Sequence, residues 1–314
     1  MSSSSAVVIL TFLSLAARNH LISDAKFVSS FPSPEELCHY LGCIENGQDC
    51  GPGLPGDNGV GTFGGSEDHT AIMLCEPNQL RQYSFCPTAL EAVIPFPSSE
   101  WVMLIAVSGA TAQKGAERLK DYNDAAMLAR HAAQAANNDT PATLASVVRR
   151  VASDLSLSPF DKKVREAIKT SIAAKDDGTY KEDAPKGSLV RRFEQFFEES
   201  EVLVPKVGTA FNTTDGPALG LLVCRSQELT ETHLRNTLEE TEWLPAEARR
   251  LGCLAASAFG AGFGGSVWAI AGVKEAGTLL KRWEEAYAKA YPDRSEQARF
   301  FAMASPGPGA RSVG

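Results

Sequence analysis

The feature that most limits the possible folds is a glycine-rich stretch near the C-terminus, AFGAGFGGSVWAI. Its glycines, which include a literal G-x-G-x-x-G, are Gly260, Gly262, Gly264 and Gly265. A dinucleotide fingerprint requires a strand before the glycines and a helix after them, and a P-loop requires G-x-x-x-x-G-K-[ST]. Here a helical pattern at 247–258 precedes, a strand pattern at 266–273 follows, and the P-loop motif does not occur. The chain is therefore neither a Rossmann nor a P-loop protein, and the loop fits a tight turn as well as a backbone that approaches a ligand.

The chain begins with four serines before an apolar run, MSSSSAVVILTFLSLAARNH. Residues 2–22 predict a helix that is apolar on almost all sides and therefore buried. A secretory signal peptide with its core at 6–17 is the alternative. No Lys or Arg precedes Arg18, and seven cysteines without a C-x-x-C pair fit reduced cytosolic thiols, so the helix is favoured. Its N-terminal N–H groups and serine hydroxyls suit a bound phosphate or Mg²⁺.

Length, charge and hydropathy limit the class of protein. The 314 residues suggest about two domains. A net charge of −8 argues against binding to nucleic acid or an anionic membrane. No apolar stretch reaches the roughly 18 residues that a membrane span needs. We expect a cytoplasmic monomer with domains at 1–108 and 109–314.

Hydrophobic periodicity predicts mainly strands before residue 108 and mainly helices after it. Strands are predicted at 70–75, 101–108 and, shorter, at 83–86 and 92–96, with a loop at 43–65. Helices are predicted at 117–136, 140–155, 162–174, 189–203 and 274–291.

A second glycine-rich stretch, GVGTFGGSEDH, places a carboxylate beside a Gly-Gly turn. Asp68 follows Gly65 closely, which suits catalysis because a substrate approaches the glycine backbone while the side chain points at it. An Asp in this position is also a common turn or cap residue. His69 is interpreted as a structural histidine. The nearby Cys38, His39, Cys43 and Cys50 have a spacing that fits no common zinc pattern.

Three of these segments, in this order, resemble the GHMP kinases, the superfamily of galactokinase, homoserine, mevalonate and phosphomevalonate kinases. MSSSSAVV is similar to the family's serine motif, and FGAGFGGSVWAI is similar to its third motif. GGSEDH is similar to the Gly-x-x-Asp-Gln stretch of the galactokinase branch, with His69 in place of Gln. Glu45-Asn46 resembles a Glu-Asn pair upstream of the catalytic Asp, and KDYND resembles a tyrosine-bearing segment. The resemblance implies an α+β fold of two domains, an N-terminal domain like ribosomal protein S5, here incomplete, and a ferredoxin-like C-terminal domain.

The resemblance also implies roles for individual residues. Asp68 is the expected catalytic carboxylate, which accepts the proton of a sugar hydroxyl or orients that hydroxyl while the γ-phosphoryl group transfers in line. Ser4 and Glu45 are the expected magnesium ligands. Gly65 and Tyr122 are expected to fix the sugar, although Tyr122 fits a core-facing aromatic of a helix equally well. The ATP phosphates are assigned to Ser2, Ser3, Ser4, Ser5, Gly260, Gly262, Gly264 and Gly265.

The implied activity is ATP-dependent, Mg²⁺-assisted phosphoryl transfer to a sugar hydroxyl, with the anomeric hydroxyl of galactose or a related sugar favoured. The family begins well before its serine motif, and the Arg-x-Asn-x-x-Gly-Glu-His-x-Asp stretch of its sugar kinases does not occur here. We therefore expect an internal start or a truncated gene, a chain that folds poorly and lacks kinase activity alone, and a longer parent that is a sugar kinase. Two alternatives stay open: a catalytically silent GHMP-like protein that binds sugar or nucleotide, and a kinase for a non-sugar alcohol such as mevalonate or homoserine.

Overall fold

The chain divides into two compact units in the computed structural model, which describes residues 3–51, 53–56, 58–85, 87–110, 116–178 and 185–310. The first unit is Met1–Val93 with Pro306–Gly314, and the second is Ile94–Ser305. Helices and strands occur in one chain, which confirms the predicted α+β class. No helix within the described ranges is long and apolar enough to cross a membrane.

The first unit is mainly helical. It contains α1 (Ser3–Arg18), a 3-10 turn (Leu21–Ser23), α2 (Ala25–Ser30), α3 (Pro34–Asn46), α4 (Glu67–Leu74), β1 (Gln79–Ser84) and most of β2 (Ala89–Pro95). Helix α1 packs against α3 and α4, and β1 pairs with β2. Helix α3 begins with a capping box between Ser33 and Glu36 and ends at Gly47, whose φ of 69° is left-handed. The predicted loop at 43–65 is therefore helical as far as Asn46.

Helix α1 forms as predicted, but the expectation that it is buried on all sides is wrong. Ile9 is 2% exposed, whereas Leu10 is 67% exposed and Val7 and Leu15 are also exposed. Within this unit α3 and α4 cover one face of the helix, so an apolar residue on the opposite face meets solvent.

The segment predicted as a strand at 70–75 is helix α4 instead. TAIML is a short apolar run, which periodicity alone does not assign to a strand or a helix. The backbone N–H and the hydroxyl of Thr70 each donate to the carbonyl of Ser66, both at 2.8 Å. Glu67 and Asp68 lie in the first turn, where the helix dipole favours negative charge.

The second unit combines a sheet with a large set of helices. Along the chain these are β3 (Trp101–Val107), α5 (Ala116–Ala136), α6 (Leu144–Leu155), α7 (Lys162–Ala173), α8 (Ser188–Phe197), α9 (Val204–Asn212), α10 (Gly216–Leu229), α11 (Glu239–Leu251), β4 (Ala255–Ala258), β5 (Ser266–Gly272), α12 (Ala276–Ala290), a 3-10 turn (Pro292–Arg294) and β6 (Arg299–Met303). A π-helical segment, Glu198–Leu203, joins α8 to α9, and a second, Thr230–Leu234, follows α10. The predicted long helices and the strands at 101–108 and 266–273 are therefore confirmed, with shifted ends.

The strands of the second unit form an antiparallel sheet in the order β4–β5–β3–β6. Trp101 lies opposite Gly272 and Val107 lies opposite Ser266 in the central pair. The domains predicted from the sequence, 1–108 and 109–314, differ from the compact units, because β3 pairs with β5 and β6 in this sheet.

Two hydrophobic clusters stabilise the described part of this unit. One includes side chains of the sheet, α11 and α12, among them Leu104, Leu244 and Trp283. The indole Nε1–H of Trp283 donates to the carbonyl of Leu244 at 3.1 Å, so the largest buried side chain is also satisfied as a donor. The other cluster is built by α5 to α8, with Ile168 and Phe193 fully buried.

The glycine-rich loop at 259–265 joins two antiparallel strands, β4 and β5. The predicted helical segment at 247–258 is wrong in its second half, because α11 ends at Leu251, Gly252 has a φ of 118°, and β4 follows. The helix stops there because its C-terminal cap is a glycine in the left-handed region.

Candidate active site

A buried carboxylate, Glu45 of α3, is contacted by polar side chains from two other helices of the first unit. The hydroxyl of Ser4 donates to Glu45 Oε1 and that of Ser5 to Oε2, both at 2.6 Å. His69 Nε2 lies 2.9 Å from Oε2 of the same carboxylate. Ser5, Glu45 and His69 are buried and Ser4 is half-buried, so the carboxylate is compensated by short hydrogen bonds rather than by water.

Each member of this cluster comes from the end of a helix. Ser4 and Ser5 lie in the first turn of α1, Glu45 in the last turn of α3, and His69 in the first turn of α4. The sequence predicts that Ser5 contacts phosphate and that His69 is structural, and in the structure both side chains are directed to Glu45. Ser4 and Glu45, the predicted magnesium ligands, are brought into direct contact.

Asn46 holds the chain that leads to the second glycine-rich stretch. Its amide accepts a short hydrogen bond from the Thr62 hydroxyl and donates to the Gly42 carbonyl at 2.8 Å. A Cβ on Gly64 would come within 3.0 Å of Asn46 Oδ1, so the backbone approaches this amide closely. The contacts fix the segment just before Asp68.

Asp68 is exposed in the first turn of α4, directly before the buried His69. The preceding Gly65, predicted to contact the sugar, is exposed, and a Cβ there would meet the Phe85 ring at 2.9 Å. The Asp68 carboxylate is therefore open to solvent, whereas Gly65 before it packs closely against Phe85 and His69 after it is buried.

Ser4 and Glu45 fit a magnesium ion. Magnesium takes oxygen ligands at about 2.0–2.1 Å in an octahedron, which separates neighbouring ligand atoms by about 2.9 Å. The Ser4 hydroxyl and Glu45 Oε1 are 2.6 Å apart, and the second carboxylate oxygen is already held by Ser5 and His69. Ser2 lies outside the described residues, as does the side chain of Ser3.

The glycines of the loop in the second unit have backbone conformations that other residues rarely adopt. Gly260, Gly262, Gly264 and Gly265 all have positive φ, between 66° and 125°. A Cβ on Gly262 would lie 2.0 Å from the carbonyl oxygen of Asn236, whereas Gly260 and Gly265 have open space where a Cβ would stand. Close backbone packing therefore excludes a side chain at Gly262, whereas there is open space beside the backbone at Gly260 and Gly265.

Asn236 anchors this loop from the segment before α11. Its carbonyl accepts the N–H of Phe263 at 2.5 Å, and its side-chain amide donates to the Ala261 carbonyl at 2.9 Å. No sequence pattern marks Asn236, because it lies 25 residues before its partner Ala261 in a segment without a motif.

Tyr122, predicted to contact the sugar, contacts the glycine-rich loop. Its hydroxyl donates to the Gly262 carbonyl at 3.0 Å, and its ring packs edge-on against Phe263 with centroids 5.1 Å apart. The side chain thus supports the loop, and a role toward a substrate stays a prediction.

Ser108, at the end of β3, fixes the other end of the loop. Its hydroxyl donates to the Gly265 carbonyl at 2.7 Å, and the Gly265 N–H donates to Ala110 at 3.0 Å. Burial raises the pKa of Tyr287, so its hydroxyl keeps its proton and donates to the Ser108 carbonyl at 2.7 Å. Ser108 was not among the predicted site residues.

Comparison with known proteins gives a family for part of the second unit. Residues 209–289 match the family model described as GHMP kinases C terminal. No curated protein sequence matches the chain significantly.

Among solved structures, that of Lactococcus lactis galactokinase in complex with galactose is similar to this chain, with a TM-score of 0.60 and 18% sequence identity. The match covers 81% of this chain and 57% of the galactokinase, so the chain spans little more than half of that protein's length. The structure of L. major mevalonate kinase in complex with R-mevalonate matches with a TM-score of 0.39 and 14% identity, over 74% of this chain and 50% of that one.

The fold is therefore similar to that of the galactokinase. The GHMP kinase family match covers residues 209–289 of the second unit.

Proposed function

We propose that this chain carries the catalytic machinery of an ATP-dependent kinase that phosphorylates a sugar hydroxyl, with galactose or a related sugar as the acceptor. The observation that carries the proposal is the cluster of Ser4, Ser5 and His69 on Glu45, next to the exposed Asp68. The galactokinase-like fold and the family domain support it.

In this proposal the first unit supplies the cation site and the general base. Ser4 and Glu45 would hold the magnesium ion, which would neutralise phosphate charge when MgATP is bound. Ser5 and His69 keep the Glu45 carboxylate in place from its buried side. Asp68 orients the acceptor hydroxyl and accepts its proton as the hydroxyl oxygen attacks the γ-phosphorus, and the bond from the γ-phosphorus to the bridging oxygen breaks to release ADP.

The glycine-rich loop of the second unit is proposed to contact the ATP phosphates. Gly260 and Gly265 leave open space beside the backbone, and Asn236, Tyr122 and Ser108 hold the loop in shape. A preorganised backbone lowers the cost of ordering the loop when a phosphate binds.

The test is a phosphoryl-transfer assay with labelled ATP, Mg²⁺ and a panel of acceptors: galactose, L-arabinose, mevalonate and homoserine. The proposal predicts label on galactose or L-arabinose and a loss of about 10²–10⁴-fold in Asp68→Asn. Such label would contradict the expectation from the sequence that the chain alone lacks kinase activity. Glu67→Gln is the matched control, because it removes the same charge from the same helical turn, and it should retain most of the activity.

Two other outcomes contradict the proposal in different ways. Label on mevalonate or homoserine alone identifies a kinase for a non-sugar alcohol. A folded chain that binds MgATP or sugar in calorimetry but labels none of the acceptors is instead a catalytically silent binding protein.

A further inference from the structure

Three side chains in the first unit, His39, Cys43 and Cys50, converge on one point. Their ligand atoms all lie within 4.8 Å of one another, and Cys43 Sγ is 3.8 Å from His39 Nε2. In a tetrahedral zinc site, with Zn–S bonds of about 2.3 Å and Zn–N bonds of about 2.0–2.1 Å, sulfur and nitrogen are about 3.6 Å apart. The cluster therefore needs only small side-chain movements to take a metal ion.

The fold builds this cluster from a helix end and the loop after it. His39 and Cys43 are four residues apart on α3, so they share one face of the helix. Gly47 ends the helix in a left-handed conformation and turns the chain back. Cys50 then lies in a compact loop, in which its N–H donates to the Leu54 carbonyl at 2.9 Å.

The loop is tied down independently of the cluster. The Gly56 N–H donates to the Asp49 carboxylate at 2.8 Å, on the residue before Cys50. A Cβ on Gly59 would lie 2.1 Å from the Gly47 backbone nitrogen, so the returning chain packs directly on the turn. Hydrogen bonds and close packing of the loop backbone thus hold Cys50 near α3.

Burial divides the cluster into an inner and an outer side. Cys43 is 7% exposed, and His39 and Cys50 are half-buried. A metal ion would enter from the solvent side and keep one position for water. The fourth candidate in the sequence, Cys38, is completely buried and does not belong to the cluster.

We propose that His39, Cys43 and Cys50 form a binding site for a thiophilic divalent cation of the zinc type. Two sulfurs and one imidazole nitrogen are the ligands that Zn²⁺ prefers, and they differ from the oxygens that Mg²⁺ takes. Binding replaces the proton of each thiol, so one Zn²⁺ displaces up to two protons. The site goes beyond the proposed kinase activity and does not depend on it.

A bound cation would fasten the loop after α3 to the helix itself. Helix α3 also carries Glu45 and Asn46, whose contacts hold Ser4 and the chain before Asp68. The cation would therefore stabilise the scaffold of the candidate active site without touching a substrate.

The experiment titrates the full chain, reduced and stripped of metal with a chelator, with Zn²⁺ in competition with a chromogenic chelator. The variants are His39→Gln and Cys50→Ser, because both residues are half-buried and their replacement leaves the core intact. Cys224→Ser is the matched control, since it removes an exposed thiol of α10 outside the cluster. Circular dichroism and thermal unfolding of the metal-free forms establish that each variant is folded.

We expect wild type and Cys224→Ser to bind one equivalent of Zn²⁺, and the other two variants to bind it at least tenfold more weakly. Substitution with Co²⁺ should produce a thiolate-to-metal charge-transfer band that Cys50→Ser weakens. Zn²⁺ should also protect Cys50 from alkylation in wild type. The proposal is overturned if folded His39→Gln and Cys50→Ser bind Zn²⁺ as wild type does, or if wild type binds none.

Discussion

His69 Nε2 lies 2.9 Å from Oε2 of Glu45, and both side chains are almost completely removed from solvent. A buried carboxylate is tolerated only when its oxygens are well satisfied, and here the histidine and two serine hydroxyls provide that compensation. The residue after the candidate catalytic Asp68 thus holds the candidate magnesium ligand. The proposed general base and the proposed cation site are therefore connected through one turn of α4.

Two substitutions of His69, one with a side-chain donor and one without, should distinguish the polar contact with Glu45 from the effect of side-chain volume. His69→Gln retains an N–H group, whereas His69→Leu has no polar atom to offer Oε2 of Glu45. We expect His69→Leu to be less stable than His69→Gln by about 2 kcal/mol, because it removes one polar partner of a buried carboxylate. Urea unfolding of both variants measures the difference, and equal stabilities would show that the carboxylate does not depend on this donor.

The glycine-rich loop offers a matched pair of alanine substitutions. Gly260→Ala and Gly262→Ala both place a side chain at positive φ, but Gly262→Ala also brings a Cβ against the Asn236 carbonyl. We expect Gly260→Ala to cost about 1 kcal/mol and Gly262→Ala to cost about 1–3 kcal/mol more. Denaturant unfolding of the two variants side by side tests this, and the prediction fails if their losses are the same.

Tyr122→Phe separates support of the loop from contact with a substrate. The variant keeps the ring against Phe263 and removes the hydrogen bond to the Gly262 carbonyl. We expect a loss of about 1 kcal/mol in the free energy of unfolding. A raised KM for the sugar with unchanged stability would instead support the substrate role implied by the family resemblance.

Two adjacent glutamates in the second unit should respond to pH with opposite sign. Arg225 donates to both carboxylate oxygens of Glu198, at 2.6 and 2.9 Å, and these hydrogen bonds lower the pKa of Glu198. Ionised Glu198 therefore stabilises the fold at neutral pH, and this contribution is lost as the pH falls through the lowered value. Burial raises the pKa of Glu199, so its ionisation costs stability as the pH rises above the value in the unfolded chain.

Glu198→Gln should thus destabilise the protein at pH 7 by about 1 kcal/mol, an effect that shrinks toward pH values below about 4. Glu199→Gln keeps an oxygen for the Ser226 hydroxyl and should raise the stability at pH 7. Thermal unfolding of both variants across this pH range is the measurement. Destabilisation of similar size in both at pH 7 would contradict the assignment.

The sequence predicts the long helices well and the site only in part. Helices with sustained periodicity, such as α7 and α12, lie where the pattern places them, because one apolar face repeats over several turns. The short run at 70–75 carries too few residues for a period to emerge, and it forms a helix. The glycine-rich composition marks Gly262 in the sequence. No pattern around residue 236 marks its partner Asn236, because the contact joins two segments that are distant in the sequence.

The polar contacts that define the site are long-range in sequence. Ser4 and Glu45 were paired through the family resemblance, and the hydrogen bond between them spans 41 positions. The spacing of Cys38, His39, Cys43 and Cys50 matches no common zinc pattern, and the structure brings three of them, His39, Cys43 and Cys50, together. Spacing rules describe sites on short hairpins and turns, whereas this cluster depends on how the chain after Gly47 folds back.

One π-helical segment bears on how this chain is aligned with its relatives. A π-helical turn takes up one residue more than an α-helical turn, and each residue of an α-helix rotates its side chain by about 100°. Glu198–Leu203 joins α8 to α9 without a break, so it changes which face the residues of α9 present. At 18% identity to the galactokinase, a single gap placed at this segment decides which positions of α9 are treated as equivalent.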